Sequence, residues 1–418
     1  MFTFLHAADI HLDSPLHGLQ RYEGAPVDEI RHATRRALEN LVDLALQRAA
    51  AFVLVAGDLY DGDWREFRTG LFFVKQMARL REAGVRVFIV AGNHDAANRM
   101  TRQLPLPDNV HVLSADRPET VTLDDPPVAI HGQSFARAAV RENLAAAYPR
   151  RVSGLFNVGL LHTCAEGREG HEPYAPCSLD DLRSKHYDYW ALGHVHRRET
   201  LQAETPAVFP GNLQGRHARE SGPKGCMVVT VDEHWAAQAR FQALDVFRWS
   251  ICRVDVAGLE GRDEVLDRVQ AELATAAASS DDRPLAARVL LVGPCPAHRQ
   301  LAAEPHRLTN DIRALAQTVT GVDLWVEKVI DQTTPKQQPP PAAEGPIGEL
   351  ARYVAELKSD PEQLRQLAGQ LSDLAAKLPP ELDEGPEALR LGDPESLRGM
   401  IDQVHELLLH RLLGPEKG

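Results

Sequence analysis

Cysteine is scarce in this sequence, and long apolar runs are absent. The 418 residues include five cysteines, an odd number, and no two of them form a C-x-x-C pair. This argues against a disulfide framework and against a structural zinc site with thiolate ligands. No stretch approaches the ~18 apolar residues that span a bilayer, and the chain begins on a strand-like segment rather than on a basic and apolar leader. We therefore expect a soluble, cytoplasmic protein that does not bind membranes.

Positive charge is also in short supply. The 46 lysines and arginines are outnumbered by 59 acidic residues, which gives a formal net charge of −13. This excludes a uniformly basic surface that coats nucleic acid, so any polyanion must be bound by a local group of basic side chains. No G-x-x-x-x-G-K-[ST] loop occurs in the sequence, and ATP-driven steps would have to come from another protein.

The first half of the chain alternates short apolar runs with amphipathic stretches, a pattern typical of parallel strands joined by crossover helices. Helices are predicted over residues 28–50 and 65–83. Strands are predicted over residues 2–7, 52–56, 85–91, 128–131, 158–161 and 189–192. The pattern indicates an α/β fold.

Polar residues come directly after five of these runs. They are Asp9, Asp58, Asn93, His162 and His194. Because the carboxyl ends of strands are where open α/β sheets bind ligands, the sequence predicts one converging site.

The motifs around these positions offer carboxylate, amide and imidazole donors without a thiolate. They read DIH at 9–11, GDLYD at 57–61, GNHD at 92–95, LH at 161–162 and GHVH at 193–196. Such donors suit Mn²⁺, Fe²⁺ or Zn²⁺. They exceed the needs of one ion, and Asp58 could bridge two ions about 3.5–4 Å apart, the spacing used for displacement at phosphorus. Gly57, Gly92 and Gly193 are expected to permit unusual φ/ψ where the strands turn.

In this order the motifs resemble the calcineurin-like metallophosphoesterase superfamily, over residues 2–231. The stretches AADIHLDSPLHGL and PGNLQGRHARESGPKG resemble its SbcD-like DNA repair exonucleases and, within them, the YhaO-like subgroup. The resemblance implies a metallophosphoesterase β-sandwich flanked by helices, a small α+β capping domain and a helical tail. It also implies two divalent ions, with manganese the expected metal and Fe²⁺ or Zn²⁺ the alternatives. One ion would be held by Asp9, His11, Asp58 and His196, and the other by Asp58, Asn93, His162 and His194.

The resemblance also assigns catalytic roles. His94 would act near the scissile phosphate as a general acid or as a stabiliser of the transition state, for which an imidazole pKa near 6.5 is suited. Asp95 is expected to orient His94. Some relatives carry a histidine where this chain has Asp61, and we expect Asp61 to lie behind the ligands rather than to bind metal. Candidate contacts to the nucleic-acid backbone are Arg99, Arg102, Arg197, Arg198, Arg216, His217 and Arg219.

Composition and apolar pattern divide the whole chain into four parts. We predict a nuclease domain over residues 1–246, a capping domain over 247–332, a Pro-rich linker over 333–346 and a helical partner-docking region over 347–418. Within the capping domain, strands are predicted over residues 250–256, 286–292 and 323–329, and helices over 262–277 and 308–316. From residue 345 onward, 14 acidic against 8 basic residues give a net charge of −6.

The tail carries leucines at helical spacing, at positions 364, 367, 371, 374 and 378. This seam is typical of a helix that packs on another helix, either in a partner or in the capping domain. The resemblance gives the partner a type, an SbcC-like or YhaN-like ATPase with long coiled coils. A homodimer is a further expectation from the family.

The function expected from these observations is a metal-dependent DNA nuclease, a 3′-to-5′ exonuclease with some single-strand endonuclease activity, that acts in DNA repair with an ATPase. Two alternatives stay open. The protein could be a phosphodiesterase or phosphatase for small molecules or phosphoproteins, or a DNA-end scaffold whose catalytic site is idle. The sequence around Asp61 and Asp95 departs from the GDxxDRG and GNHE of protein phosphatases, and the added domains favour the nuclease.

Overall fold

The structure is a computed structural model, and it describes residues 1–14, 27–61, 67–97, 105–167, 174–201, 206–335, 345–375 and 390–413. Two of the expected DNA contacts, Arg99 and Arg102, lie outside the described residues, as does Leu378 of the leucine seam.

The described strands, in chain order, are β1 (Phe2–Ala7), β2 (Phe52–Ala56), β3 (Arg86–Val90), β4 (Val110–Val112), β5 (Glu119–Leu123), β6 (Val128–Gly132), β7 (Phe156–His162), β8 (Tyr189–Gly193), β9 (Glu199–Leu201), β10 (Ala207–Phe209), β11 (Gly225–Val231), β12 (Ala237–Ala243), β13 (Arg248–Asp255), β14 (Leu285–Cys295) and β15 (Leu324–Pro335). The described α-helices are α1 (Val27–Gln47), α2 (Phe67–Glu82), α3 (Asn93–Ala97), α4 (Leu179–Arg183), α5 (Arg262–Ala278), α6 (His298–Ala303), α7 (Pro305–Ala316), α8 (Pro346–Ser359), α9 (Pro361–Gln370), α10 (Ser372–Ala375) and α11 (Pro394–Leu413).

The chain divides into two compact units. The first comprises residues 1–251, 275–288 and 319–327, and the second comprises 252–274, 289–318 and 328–418. The first unit therefore includes parts of the segment that the sequence assigned to the capping domain. A sheet in the order β13-β14-β15 is formed by the three strands of that segment.

Two six-stranded sheets form the body of the first unit. Their strand orders are β12-β11-β1-β2-β3-β4 and β5-β6-β7-β8-β10-β9. Phe4, Phe52 and Phe156 lie in a core between the two sheets. Alternate residues such as Leu5 and Val53 point to the other face of the first sheet and pack with residues of α1 and α2, as the two-residue period of a strand requires. This sandwich flanked by helices confirms the α/β fold class.

The linker predicted for residues 333–346 overlaps secondary structure at both ends, and residues 336–344 lie outside the described residues, so that the linker itself stays a prediction. Thr333 belongs to β15 and shares its hydroxyl with His298 Nδ1 at 2.7 Å and Asp331 Oδ1 at 2.6 Å. Pro335 ends the strand, and Pro346 is the first residue of α8, two positions at which proline is tolerated. Composition alone did not distinguish these prolines from those of a linker.

The C-terminal helices belong to the second unit. Asp360 and Asp393 cap α9 and α11 by accepting backbone N–H groups, as N-cap residues do. Helices α8, α9 and α11 pack on one another, and α11 also packs on α6. Leu364 of the leucine seam and Leu397 of α11 are buried there, so this part of the seam faces these helices and is not free for a partner. Among the tail side chains that the structure describes, the large apolar ones left exposed are Tyr353, Leu374, Val404 and Leu408.

All five cysteines are buried as free thiols. Among the residues that the structure describes, no helix combines the length and the apolar character needed to cross a bilayer.

Candidate metal centre

The strand-end residues of both sheets meet at one edge of the sandwich. The loop after β1 pairs with the loop after β2, where Asp9 N donates to Gly57 O at 3.0 Å and His11 N donates to Asp58 O at 3.0 Å. From the second sheet, His194 N donates to both carboxylate oxygens of Asp9, at 3.0 and 3.1 Å. The convergence predicted from the apolar runs is therefore present.

Four of the expected ligands sit on strained backbone. Asp9, His11 and Asp58 have φ values of 50°, 45° and 50°, and His194 has a φ of 101°. Non-glycine residues rarely adopt positive φ, and such strain is concentrated at functional sites, where the surrounding structure holds it. This feature was not predicted, because aspartate and histidine at strand ends carry no sequence signal for a left-handed backbone.

The three motif glycines are explained by two different constraints. Gly57 has a φ of 90°, as expected. The expectation of unusual φ/ψ is wrong for Gly92 and Gly193, which are required by lack of space. A Cβ on Gly92 would lie 2.3 Å from Asp58 Oδ1, and a Cβ on Gly193 would lie 1.8 Å from Ala56 O.

The ligand atoms gather in two principal groups. Asp9, His11 and His196 bring donor atoms within 4.8 Å of one another, and so do Asp58, His162 and His194. A third such set, His11, Asp58 and His94, connects the two groups. The amide Oδ1 of Asn93 lies 3.0 Å from His162 Nε2. The structure thus brings together all seven side chains expected to bind metal, and their division between two ions stays a prediction.

Hydrogen bonds to one ring nitrogen prepare two of the histidines for coordination through the other. His162 Nδ1 lies 2.9 Å from Ala56 O, a contact in which the ring must donate. His196 Nδ1 lies 2.7 Å from Glu220 Oε1, so that His196 donates to a carboxylate. In both cases the lone pair is left on Nε2, which is the arrangement that metal-binding histidines show in proteins.

The electrostatics of the site also fit cations. Burial raises the pKa of Asp58 to about 6, and burial together with the charge of Asp58 raises the pKa of Asp9 well above its usual range. Burial lowers the pKa of His162 to about 3, which keeps this imidazole neutral and able to donate a lone pair. Buried carboxylates and neutral imidazoles that face one another form a site that divalent cations would stabilise.

His94 is oriented by Asp61 and not by Asp95, contrary to the expectation from the sequence. Asp61 Oδ1 lies 2.8 Å from His94 Nδ1. The oxygens of Asp95 instead accept the backbone N–H groups of Leu59, Tyr60 and Gly92 at 3.1, 2.9 and 3.1 Å. Asp95 therefore ties the loop after β2 to the loop after β3.

Asp61 joins several groups around His94. It accepts from Ser14 Oγ at 2.5 Å and from Arg216 Nη1 at 3.4 Å, and its Oδ1 lies 3.6 Å from His11 Nδ1. Burial raises the pKa of Asp61, but the neighbouring rings of His11 and His94 outweigh burial and hold the pKa well below its usual range. Asp61 is therefore an anion that contacts both a candidate ligand and the candidate acid.

Glu220 is a candidate functional residue that sequence reasoning missed. It is buried and accepts from His196 Nδ1, from Asn212 Nδ2 at 2.8 Å and from Arg216 N at 2.8 Å. Nearby, Lys224 Nζ donates to His196 O at 2.9 Å. Both residues lie in the stretch PGNLQGRHARESGPKG. The family resemblance of this stretch implies no role for Glu220 or Lys224.

The basic residues near the site are not equivalent. Arg216 is ion-paired with Asp61 and with Glu220 Oε1 at 3.2 Å, and its side chain is only 16% exposed. It is therefore poorly placed for the surface contact expected of it. Arg197 is exposed and His217 has a side chain that is 54% exposed. The guanidinium of exposed Arg198 lies 4.0 Å from the ring centroid of Phe241.

Comparison with known proteins gives two family matches along the chain. Residues 2–198 match the calcineurin-like phosphoesterase family, and residues 249–334 match the middle domain of metallophosphoesterase YhaO. The chain is 37% identical over 337 residues, covering 79% of itself and 82% of the relative, to the uncharacterized metallophosphoesterase YhaO of Bacillus subtilis (strain 168). The chain belongs to the YhaO-like metallophosphoesterases. This confirms the family resemblance.

More distant similarities were also found. Over 299 residues the YhaO-like chain is 25% identical to the DNA double-strand break repair protein Mre11 of Methanopyrus kandleri, covering 63% of itself and 62% of that protein. A dimetal phosphatase structure from Danio rerio aligns with 57% of this chain and 98% of its own, at a TM-score of 0.37 and 12% identity. Metallophosphoesterases of this family typically use two divalent metal ions, and the donor groups described above fit such a pair.

Proposed function

We propose that this YhaO-like metallophosphoesterase is a DNA nuclease that hydrolyses phosphodiester bonds at DNA ends and acts in DNA repair with an ATPase partner. The observation that carries the proposal is the set of seven oxygen and nitrogen donors at one edge of the sandwich, with Asp58 at the centre of the set. The similarity to a protein named for DNA double-strand break repair supports DNA as the substrate.

The two ligand groups give each ion a place. Asp9, His11 and His196 would hold one, Asp58, Asn93, His162 and His194 the other, and Asp58 would contact both. When bound, two divalent cations, manganese in our proposal, supply positive charge to an anionic phosphodiester and make hydroxide available near neutral pH. The protein's part is to hold these donors rigidly on strand ends, on backbone that is already strained into place.

His94 is left to act on the leaving group. Its side chain is 40% exposed, and its Nδ1 contacts the Asp61 carboxylate. The hydrogen bond that His94 donates to the Asp61 carboxylate raises the pKa of His94, against the opposing effect of burial. A protonated ring in this position can donate to the oxygen that leaves, which is the role of a general acid.

The exposed basic side chains beside His196 are suited to a nucleic-acid backbone. Arg197, Arg198, His217 and Arg219 are all exposed. Contacts to phosphate fix the position of the substrate without reading its sequence. Because the net charge of −13 excludes a uniformly basic surface, DNA would have to be bound by a local group of basic side chains such as this one.

The C-terminal helices are proposed to dock the ATPase. Their exposed apolar side chains, Tyr353, Leu374, Val404 and Leu408, lie in a part of the chain, residues 345–418, whose 14 acidic and 8 basic residues give a net charge of −6. Apolar side chains in an acidic segment favour the apolar and basic face of a partner's coiled coil over DNA. We propose an SbcC-like or YhaN-like ATPase as that partner, and homodimerisation as a further property of the complex.

Two substrates distinguish the proposal from its alternatives. The purified chain, stripped with EDTA and reloaded with Mn²⁺, is incubated with end-labelled linear duplex DNA and, separately, with bis-p-nitrophenyl phosphate. We expect metal-dependent release of nucleotides from the duplex and loss of that release in His94→Ala. Cleavage of the dye ester alone would favour a small-molecule phosphodiesterase. DNA binding without hydrolysis of either substrate would favour an idle scaffold. Repeating the assay with the ATPase and ATP tests the proposed partnership.

A further inference from the structure

The buried partner of His196 lies on a segment that the first residues of the middle domain hold in place. We name this segment, residues 212–224, the connector. It carries Glu220, which accepts from His196 Nδ1 at 2.7 Å, and Lys224, which donates to His196 O at 2.9 Å. Two side chains of the connector therefore contact a candidate metal ligand.

The other side of the connector is fixed by residues 244–249, where the chain enters the middle domain. Gln214 uses its whole amide there, because its Oε1 accepts from Val246 N at 2.9 Å and its Nε2 donates to Phe247 O at 2.8 Å. Trp249 Nε1 donates to Gly215 O at 3.1 Å, and Trp249 O accepts from Gly222 N at 3.0 Å. These contacts hold the connector on both sides of Glu220.

Packing reinforces the hydrogen bonds. Ala218, two residues before Glu220, is buried in a cluster with Phe247, Trp249, Ala286 and Trp325. Three members of this cluster, Trp249, Ala286 and Trp325, fall in the range that matches the YhaO middle domain, and all of them belong to the first compact unit. A Cβ on Gly215 would lie 3.0 Å from the Trp249 ring, so the connector fits closely against this indole.

We propose that Trp249 and Gln214 are positioning residues of the metal centre, which act through the connector and Glu220 on the ligand His196. The middle domain thereby sets the metal affinity of the site that contains Asp9, His11 and His196. The proposal rests on the metal-binding part of the proposed function and is independent of DNA as the substrate. The physical reason is that the partner of a ligating histidine fixes the orientation and basicity of its ring, and loss of such a partner weakens metal binding 10- to 100-fold.

The test is a titration of the metal-free, full-length chain with Mn²⁺ by isothermal calorimetry. We expect two ions to bind to the wild type. In Trp249→Phe, which keeps an aromatic ring but removes the donor to Gly215, and in Gln214→Met, one ion should bind with wild-type affinity and the other about tenfold more weakly, at the low end of that range. Glu220→Gln should weaken the same ion at least as much.

A double variant and a control make the result specific. Because all three residues act along one path, Trp249→Phe combined with Glu220→Gln should bind Mn²⁺ no more weakly than Glu220→Gln alone. Trp190→Phe is the matched control, since Trp190 is fully buried in a different cluster and its Nε1 has no hydrogen-bond partner among the described residues. It should bind both ions as the wild type does. Circular dichroism of each variant verifies that it is folded.

Wild-type affinity for both ions in folded Trp249→Phe and Gln214→Met would overturn the proposal, as would losses that multiply in the double variant. Failure of the wild type to bind Mn²⁺ would overturn the metal centre itself and this proposal with it. A chain that gives the expected calorimetry but leaves DNA intact supports the proposal and contradicts only the choice of substrate.

Discussion

Asp61 Oδ1 lies 2.8 Å from His94 Nδ1, and the same carboxylate reaches Ser14, Arg216 and the vicinity of His11. The candidate acid His94 is thus oriented by Asp61. Asp95, which is next to His94 in sequence, binds backbone N–H groups instead. If His94 is the catalytic acid that we propose, Asp61 is the carboxylate that orients it.

Replacing Asp61 with asparagine tests whether Asp61 orients His94 for catalysis. Asp61→Asn keeps an acceptor for His94 Nδ1 but removes the charge, so we expect kcat on the nuclease substrate to fall about a hundredfold, the low end of what a general acid contributes. The metal content, measured by mass spectrometry, should stay at two ions. Ser14→Ala removes one hydrogen bond to Asp61 and should have a smaller effect.

The pH profile provides a second measure of the same pair. The Asp61 contact raises the pKa of His94, and a general acid works only while it is protonated, so its activity is lost as the pH rises past that pKa. In Asp61→Asn the pKa falls, and the alkaline limb of kcat should move to lower pH. An unchanged limb in the variant would show that His94 does not act as the acid.

His94→Ala and Asp58→Ala separate catalysis from metal binding. Only Asp58 is proposed to contact both ions, so Asp58→Ala should lose metal together with activity. His94→Ala should keep both ions and lose turnover. Metal content and rate measured on the same preparations check this. Because donor atoms of His94 approach His11 and Asp58, an empty site in His94→Ala would reassign His94 as a ligand.

Much of this site could be predicted because it depends on local sequence. Strands β1 and β2 begin and end where the sequence predicts, because β2 is apolar along its whole length and β1 along most of it. The polar residues that follow these strands, Asp9 and Asp58, then identify the edge of the sandwich where the site lies. Strands β9 and β10 were not predicted, since three residues each give too little pattern. Edge strands such as β12 alternate weakly in burial and are also difficult to recognise.

The contacts that the sequence could not give are those between distant side chains. Glu220 and His196 are 24 positions apart, and Asp61 and His94 are 33 apart. Which carboxylate contacts which ring is decided by how the loops pack, and the motifs carry no information on that choice. The adjacency of Asp95 to His94 in GNHD favoured the wrong pair.

Asp95 is therefore expected to matter for stability more than for proton transfer. Asp95→Ala leaves the N–H groups of Leu59, Tyr60 and Gly92 without their buried acceptor, and each such group costs about 1–3 kcal/mol when it stays unpaired. We expect a clear drop in the melting temperature of Asp95→Ala, measured by calorimetry without metal. Asp61→Ala, which is the comparison, should melt closer to the wild type. Equal melting temperatures for Asp95→Ala and the wild type would contradict the structural role of Asp95.

Gly92 offers a test of how tightly the centre is built. In Gly92→Ala the new methyl group would lie 2.3 Å from Asp58 Oδ1 and 2.8 Å from Asp58 N. The backbone nitrogen cannot rotate away, so Asp58 must shift, and with it the one carboxylate proposed to contact both ions. We expect weaker Mn²⁺ binding at both sites by calorimetry. The control is Gly261→Ala, where an added Cβ meets nothing within 4 Å and binding should not change. Normal Mn²⁺ binding by Gly92→Ala would mean that the ions do not depend on the position of Asp58, and the assignment of Asp58 as their shared ligand would fail.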